Sequence, residues 1–409
     1  MKKNAVIVLS LCGLFLFFKY IAQLFPSLIG HELLKTAGYD GVMIAVMASS
    51  YYYSYSIMQV VAGLIIDRYC IKFPMFLAIL SISVMIFVFT HTTNFYLMCL
   101  SRIIMGIGAS FATVIYMKCA AYYTTPKTFS IISSFLATAT MLGAACGGTP
   151  IALLFEQFGW QVGLNGLAMV GLLIASAILI FQNTKTTTEN RLPHLSGLKN
   201  IKEVLAKRDN WLLLLYSGLT FSPVAILGGL WGTPFLMTKY TLTATNASFL
   251  LSIMFVGHAI GSPLWALLSV RMGNKKILMH ITNGISLLTI LIIIYGDISY
   301  FSAIILFFIF GFSVGCFMLS FQLCREMNSL YVIGLAVAFI NSGEGLIGSC
   351  IEPFIGRMLD ISKVGPVFTI ANYQTALFIL PCCFVFSSCT LLFINRKQIY
   401  DHMKCFARA

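Results

Sequence analysis

Apolar runs of bilayer-crossing length follow one another along almost the whole chain, separated mostly by short polar turns. A membrane-spanning helix takes roughly 20 mostly apolar residues, and about twelve runs meet that requirement. They are 5–29, 42–66, 73–91, 95–118, 129–154, 162–182, 210–236, 245–270, 276–296, 299–324, 331–356 and 373–395. With 59% hydrophobic and only 10% charged residues in 409, and a mean hydropathy of +0.91, the chain lacks the charge needed to cover a soluble surface. An all-α, multi-pass membrane protein is expected.

The net charge of +13 raises the question of nucleic acid, and its distribution answers it. With the N-terminus inside, about 20 of the 26 Lys and Arg residues fall in cytoplasmic segments and about four outside, while the acidic residues divide almost evenly. The basic excess is therefore an orientation signal, helped by anionic lipid headgroups, and no nucleic-acid partner is expected. Both termini are expected in the cytoplasm of a cell (inner) membrane. Lys2 and Lys3 before an apolar run resemble a signal peptide, but the run continues past Lys19 to Ile29 without a convincing small-residue cleavage site, so it reads as a retained first helix. The 12 cysteines form no CxxC and lie mostly in apolar runs, as do Cys12, Cys146 and Cys350; they read as reduced filler, with no metal or cofactor expected.

One long polar interruption, Gln182 to Asn210, divides the chain. The expected organisation is a six-helix bundle over 1–182, a cytoplasmic linker over 183–209 and a second six-helix bundle with a short tail over 210–409. Leu198 to Arg208 has the pattern of a short basic helix on the membrane face, either a plain linker or a partner site. The halves echo each other: GLIIDRYCIK, Gly63 to Lys72, is followed about 203 residues later by ALLSVRMGNK, Ala266 to Lys275. At that offset Arg68 matches Arg271, Lys72 matches Lys275 and Pro150 matches Pro353. An even number of spans per half makes these parallel repeats, a pattern of secondary transporters.

Gly63, Asp67, Arg68 and Lys72 resemble the G-x-x-x-D-R-x-G-x-R/K motif of the major facilitator superfamily, with Cys70 in place of the second glycine. Arg102-IIM-Gly106-I-Gly108 and Gly143-AAC-Gly147-Gly148-T-Pro150 resemble its fourth- and fifth-helix patterns. Small residues at such spacing let helices approach, and the proline permits bending. The resemblance implies two pseudo-symmetric six-helix bundles that rock about a central cavity, with Asp67 closing the cytoplasmic side against a helix end or basic residue of the other bundle. Val270 stands at the equivalent position of the second copy, so gating by Arg271 and Lys275 would be asymmetric. These basic residues also serve as topology determinants. Ser49–Gln59 (SSYYYSYSIMQ), 228–236 (GGLWGTPFL) and Arg325-Glu326-x-Asn328 resemble a prokaryotic branch related to lysosomal dipeptide and phagosomal amino-acid transporters.

Charges at bilayer depth are costly and usually face a partner or an aqueous cavity. Lys19, Arg102 and Glu344 stand out. Lys19 and Arg102 can hold an anionic group, and Glu344 can carry a proton or bind an amine; a salt bridge from either cation to Glu344 is the competing reading. Gln23, Tyr52 and Tyr55 are candidate solute contacts, as is Trp231 in a glycine-rich segment where the helix can break. Glu352, near the outer end of its run, is expected to reach water. His258 reads as a packing residue.

The expected function is secondary active transport of an amino acid, short peptide or small organic anion, by proton-coupled uptake in a monomer. Export of a siderophore or drug is the alternative within the class, and a transporter-like sensor the alternative outside it. No nucleotide-binding loop is present, and histidines and acids are too scattered for an enzyme.

Overall fold

The computed structural model describes residues 3–36, 38–68, 71–123, 126–181, 197–272, 274–328, 332–363 and 367–394, with helix and no strand among them. The first half contains α1 (Lys3–Leu24), α2 (Pro26–Thr36), α3 (Gly41–Arg68), α4 (Lys72–Thr90), α5 (Phe95–Tyr123), α6 (Pro126–Phe158) and α7 (Trp160–Phe181). After α8 (Gly197–Ala206) come α9 (Arg208–Ile226), α10 (Gly232–Tyr240), α11 (Ala244–Met272), α12 (Lys275–Tyr295), α13 (Tyr300–Val314) and α14 (Leu319–Met327). The chain continues with α15 (Ile333–Ser362), α16 (Ile370–Ala376) and α17 (Ile379–Leu392).

Ten spans among the described residues are long and apolar enough to cross a membrane. Four of them are pieced together from shorter helices. Pro26 cannot donate a backbone hydrogen bond and separates α1 from α2. A π-helical turn, Leu227–Trp231, joins α9 to α10, and a 3₁₀ turn, Gly315–Met318, joins α13 to α14. The other two long helices, α3 and α15, have 28 and 30 residues and carry polar stretches, a Ser/Tyr run and Asn341-Ser342-Gly343-Glu344. They pack against each other.

Within the first half, α1 lies on α6 and α5, α3 on α5, and α4 on α7. In the second half, α9 lies on α15 and α17, α11 on α13, and α12 on α13 and α17. Two seams join the halves: α3 with α15, and α6 with α11. Backbones come close where side chains vanish. A Cβ on Gly106 would fall 2.3 Å from the Tyr51 carbonyl oxygen, and Cβ atoms on Gly143 and Gly147 would meet the Cα atoms of Phe17 and Ile21 at 3.2 Å. Pro150 lies inside α6 on its exposed side. Gly63 differs from the expectation of close helix approach, because no described atom lies within 4 Å of its Cβ position. The tight contacts between halves lie elsewhere along α3.

Helices alternate in direction, so the ends of α7 and the start of α9 share one face, here the linker side. The starts of α3 and α11 and the ends of α6 and α15 share the opposite, far side. Helix α8 docks on the second half: Asn210 Nδ2 donates to Val204 O at 2.9 Å, and Trp211 Nε1 to Leu205 O at 2.8 Å. Residues 183–196 of the expected linker fall outside the described residues, as do the Asp67 and Arg68 side chains. Lys275 makes an ion pair with Glu326 of α14, within its own half, while Arg271 is exposed and Lys72 half-buried.

Candidate solute site between the two halves

Lys19, in the middle of the first apolar run, is 1% exposed. Among the described residues it forms no ion pair; its ammonium lies 4.2 Å from the centroid of Tyr55 and 4.3 Å from that of Tyr20. Aromatic faces stabilise a desolvated cation by about 2 kcal/mol, well short of a full counter-ion. Glu344, on α15 of the other half, keeps part of its surface accessible and accepts a hydrogen bond from Ser217 Oγ of α9 at 3.0 Å. Lys19 bears electrostatically on Glu344, yet no described ion pair closes the gap. The expected competing salt bridge is therefore missing among the described residues, from Lys19 and from Arg102 alike.

Arg102 is wholly buried and has other work. Its Nη1 donates to Ala22 O at 2.7 Å and its Nη2 to Gln23 O at 3.1 Å, while the guanidinium lies over the rings of Tyr51 and Phe25 at 4.6 and 5.0 Å. The two carbonyls belong to the end of α1, where the break before Pro26 leaves acceptors without helical donors. Arg102 thus fastens the broken first span to α5, and only its Nε lacks a described partner.

The aromatic and amide candidates link these charges. Gln23 Nε2 donates to the Tyr52 hydroxyl at 3.3 Å. Gln59 Nε2 donates to the Tyr55 hydroxyl at 2.7 Å, and Gln59 Oε1 accepts from Asn341 Nδ2 at 2.9 Å. The ring over Lys19 is thereby connected to α15. Trp231 is buried in the π-helical turn and donates from Nε1 to Glu352 O at 3.3 Å. The predicted helix irregularity is present, but its backbone is packed, not open.

Glu352 corrects the sequence reading. It is 1% exposed and accepts a hydrogen bond from Ser49 Oγ of α3 at 2.7 Å. Water is excluded because α3 of the other half covers it, a contact that no local sequence pattern announces. Glu344, Glu352, Tyr52, Ala225, Gly348 and Ser349 line one crevice with about 140 Å³ of atom-free space, too finely divided to hold a water molecule. That crevice takes no solute in this arrangement of the halves.

The seams also repeat the 203-residue offset of the sequence. Ser49 meets Glu352 in one; Ser252 meets Thr149 at 3.1 Å in the other. Such a pair of related bundles joined through a mid-membrane seam is a transporter architecture, and a family model described as Major Facilitator Superfamily matches residues 7–353. The chain belongs to the major facilitator superfamily. Among solved structures, this superfamily member is similar to a bacterial homolog of the human lysosomal transporter Spinster, inward-facing and occupied. The TM-score is 0.81 and the identity 14%, over 97% of this chain and 98% of that one. The nucleoside transporter NupG aligns with a TM-score of 0.75 at 15% identity, over 96% and 99% of the two chains. Multidrug resistance protein 1 of Bacillus subtilis (strain 168) is 24% identical over 391 residues, covering 92% of this chain and 95% of that protein. At these identities the solved structures speak for the fold. Family and fold together mark a multi-pass membrane transporter.

Proposed function

We propose that this superfamily member is a secondary active transporter that takes up a small amphoteric solute, an amino acid or short peptide, by alternating access. The observation that carries this reading is the pairing of Lys19 and Glu344: opposite charges on opposite halves at mid-membrane depth, the first buried and the second partly accessible, joined by no described salt bridge. A solute with a carboxylate and an ammonium would complete both. The rings of Tyr20 and Tyr55 supply an apolar wall beside the cation, and Gln23, Tyr52 and Trp231 border the seam. Arg102 enters as a positioning residue for α1. A small organic anion, satisfying Lys19 alone, belongs to the same reading.

Proton movement is the proposed energy source. Glu344 and Glu352 are the two mid-membrane carboxyls on α15, and the Glu352–Ser49 bond must break when α3 and α15 separate. Protonation and opening would thereby be linked through one side chain. The positive-inside bias supports a cytoplasmic linker side and cytoplasmic termini in a cell (inner) membrane, and the protein is proposed to act as a monomer. Asp67, Arg68, Lys72, Arg271 and Lys275 would guard the cytoplasmic side.

Counterflow tests the reading. Proteoliposomes preloaded with a mixed amino-acid pool should accumulate at least one labelled amino acid, and an inward proton gradient should drive its net uptake. Folded protein that exchanges no amino acid, dipeptide or small organic anion would overturn it. Drug or siderophore export is the second reading; the similarity to the Bacillus subtilis multidrug resistance protein favours it. Efflux of a cationic drug, blind to added amino acids, would decide for it.

A further inference from the structure

On the far side each half presents a carboxylate to the first turn of a helix in the other half. Asp360, at the end of α15, accepts from the backbone N–H of Gly41 at 3.0 Å through Oδ1 and from that of Val42 at 3.0 Å through Oδ2, at the start of α3. Glu156, at the end of α6, accepts from the N–H of Thr245 at 3.1 Å, at the start of α11. The first N–H groups of a helix have no acceptor within it, and the positive end of the helix dipole adds attraction for an anion. Both helices also carry a cap from their own half. Asp40 Oδ1 accepts from Met43 N at 2.7 Å, and Thr243 Oγ1 from Asn246 N at 3.3 Å. These local caps leave the preceding N–H groups to the carboxylate from across the interface.

The duplication matters. The offset of 203 that relates the halves carries Val42 to Thr245, and Glu156 lies within one residue of the counterpart of Asp360. A crystal of coincidences is a poor explanation for the same carboxylate-to-helix contact made twice, in opposite directions, across a pseudo-twofold axis. The two copies are not equal. Asp360 is half-buried and uses both oxygens, where α3 and α15 touch through bare backbone: a Cβ on Gly356 would lie 2.5 Å from Gly41 O. Glu156 is exposed, uses one oxygen, and borders an open crevice shared with Leu28, Trp160 and Ala244.

We propose that Asp360 and Glu156 form a two-part latch that holds the far side shut, the Asp360 contact being the stronger part. Opening toward the far side must withdraw each carboxylate from its helix start, and the uncapped N–H groups then turn to water. The proposal rests on the alternating-access reading for its role in a cycle, but the latch can be measured with no solute present. Spin labels are attached through a keto-bearing amino acid at Tyr96 and Phe301, exposed far-side positions of the two halves, which leaves the native cysteines in place. The distance distribution is recorded by pulsed electron paramagnetic resonance in nanodiscs.

The wild type should give one short-distance population. Asp360→Ala should raise the open-to-closed ratio on the order of tenfold, Glu156→Ala about threefold, and the double variant more than either, as expected for lost N-caps. Asp40→Ala, which removes a cap without crossing the interface, should leave the distribution unchanged. If Asp360→Ala does not fold, Glu156→Ala alone decides. A folded Glu156→Ala or double variant with the wild-type distribution, or an Asp40→Ala variant that opens equally, would overturn the latch. Failure to find a transported solute would leave this measurement untouched.

Discussion

The α3–α15 and α6–α11 seams occupy equivalent places and have opposite characters. In the first, Glu352 meets Ser49, Gln59 meets Asn341, and the Tyr53 hydroxyl donates to Ser349 O at 2.7 Å. In the second, Thr149 replaces Glu352, Val256 replaces Tyr53 and Met141 stands where Glu344 does. The serine survives in both: Ser252 Oγ donates to Ala145 O at 2.8 Å, much as Tyr53 reaches Ser349. A duplicated frame thus preserves close approach and hydroxyl contacts, whereas mid-membrane carboxyls are confined to one copy. Because such carboxyls are costly in lipid and persist where they do something, the proposed solute and proton chemistry falls to the α3–α15 seam, and the other seam is left with packing and hydroxyl contacts.

The largest test of this division exchanges the characters. Glu352→Thr, which gives the first seam its counterpart's residue, should abolish proton-driven accumulation while counterflow survives. Thr149→Val should change either rate by no more than about threefold, the worth of one neutral hydrogen bond. Uptake assays under an imposed gradient distinguish the two, and equal effects would dissolve the comparison.

Packing gives the next effect. Gly356→Ala drives a Cβ against a backbone carbonyl that cannot yield, whereas Gly148→Ala meets the rotatable Ser252 Oγ at 2.6 Å. Thermal unfolding in detergent should show Gly356→Ala destabilised by about 1–3 kcal/mol and Gly148→Ala by less than about 1 kcal/mol. The reverse order would place the rigid contact in the wrong seam. The smallest effect is a near match: Tyr53→Phe loses one hydroxyl-to-carbonyl bond and should cost about 1 kcal/mol, and Ser252→Ala, which also loses its contacts with Thr149, about 1–2 kcal/mol. A gap much wider than that would mean the seams do not share a frame.

Much of the architecture was legible in the chain because lipid imposes a length and an apolarity that runs of residues display directly. The basic turn and its 203-residue echo announced the repeat, and Lys19, Arg102 and Glu344 were conspicuous as charges inside apolar runs. What Arg102 does was not legible, since its acceptors are carbonyls freed by the helix break before Pro26 and lie 80 and 79 residues away. Glu352 was misplaced because distance along its helix suggested water, whereas a contact with Ser49, 303 residues away, sets its burial. Applying the offset to Ser49 and Ser252 would have flagged both seams. Nothing in the sequence sets Asp360 and Glu156 apart, and only the assembled fold brings helix starts to them.

The central claim is that Lys19 and Glu344 bind the two charges of one solute. Its most direct test uses the amino acid found by counterflow, with its methyl ester and its N-acetyl derivative as competitors. Each derivative lacks one charge, so each should compete at least tenfold more weakly in the wild type, since hydrogen bonds to charged groups contribute about 1.5–3 kcal/mol. In Lys19→Met the acid should lose its advantage over the ester while amine recognition persists; in Glu344→Gln the amine should lose its advantage over the N-acetyl form. Ester and N-acetyl derivative that compete as well as the parent, with both variants unaltered, would contradict the account.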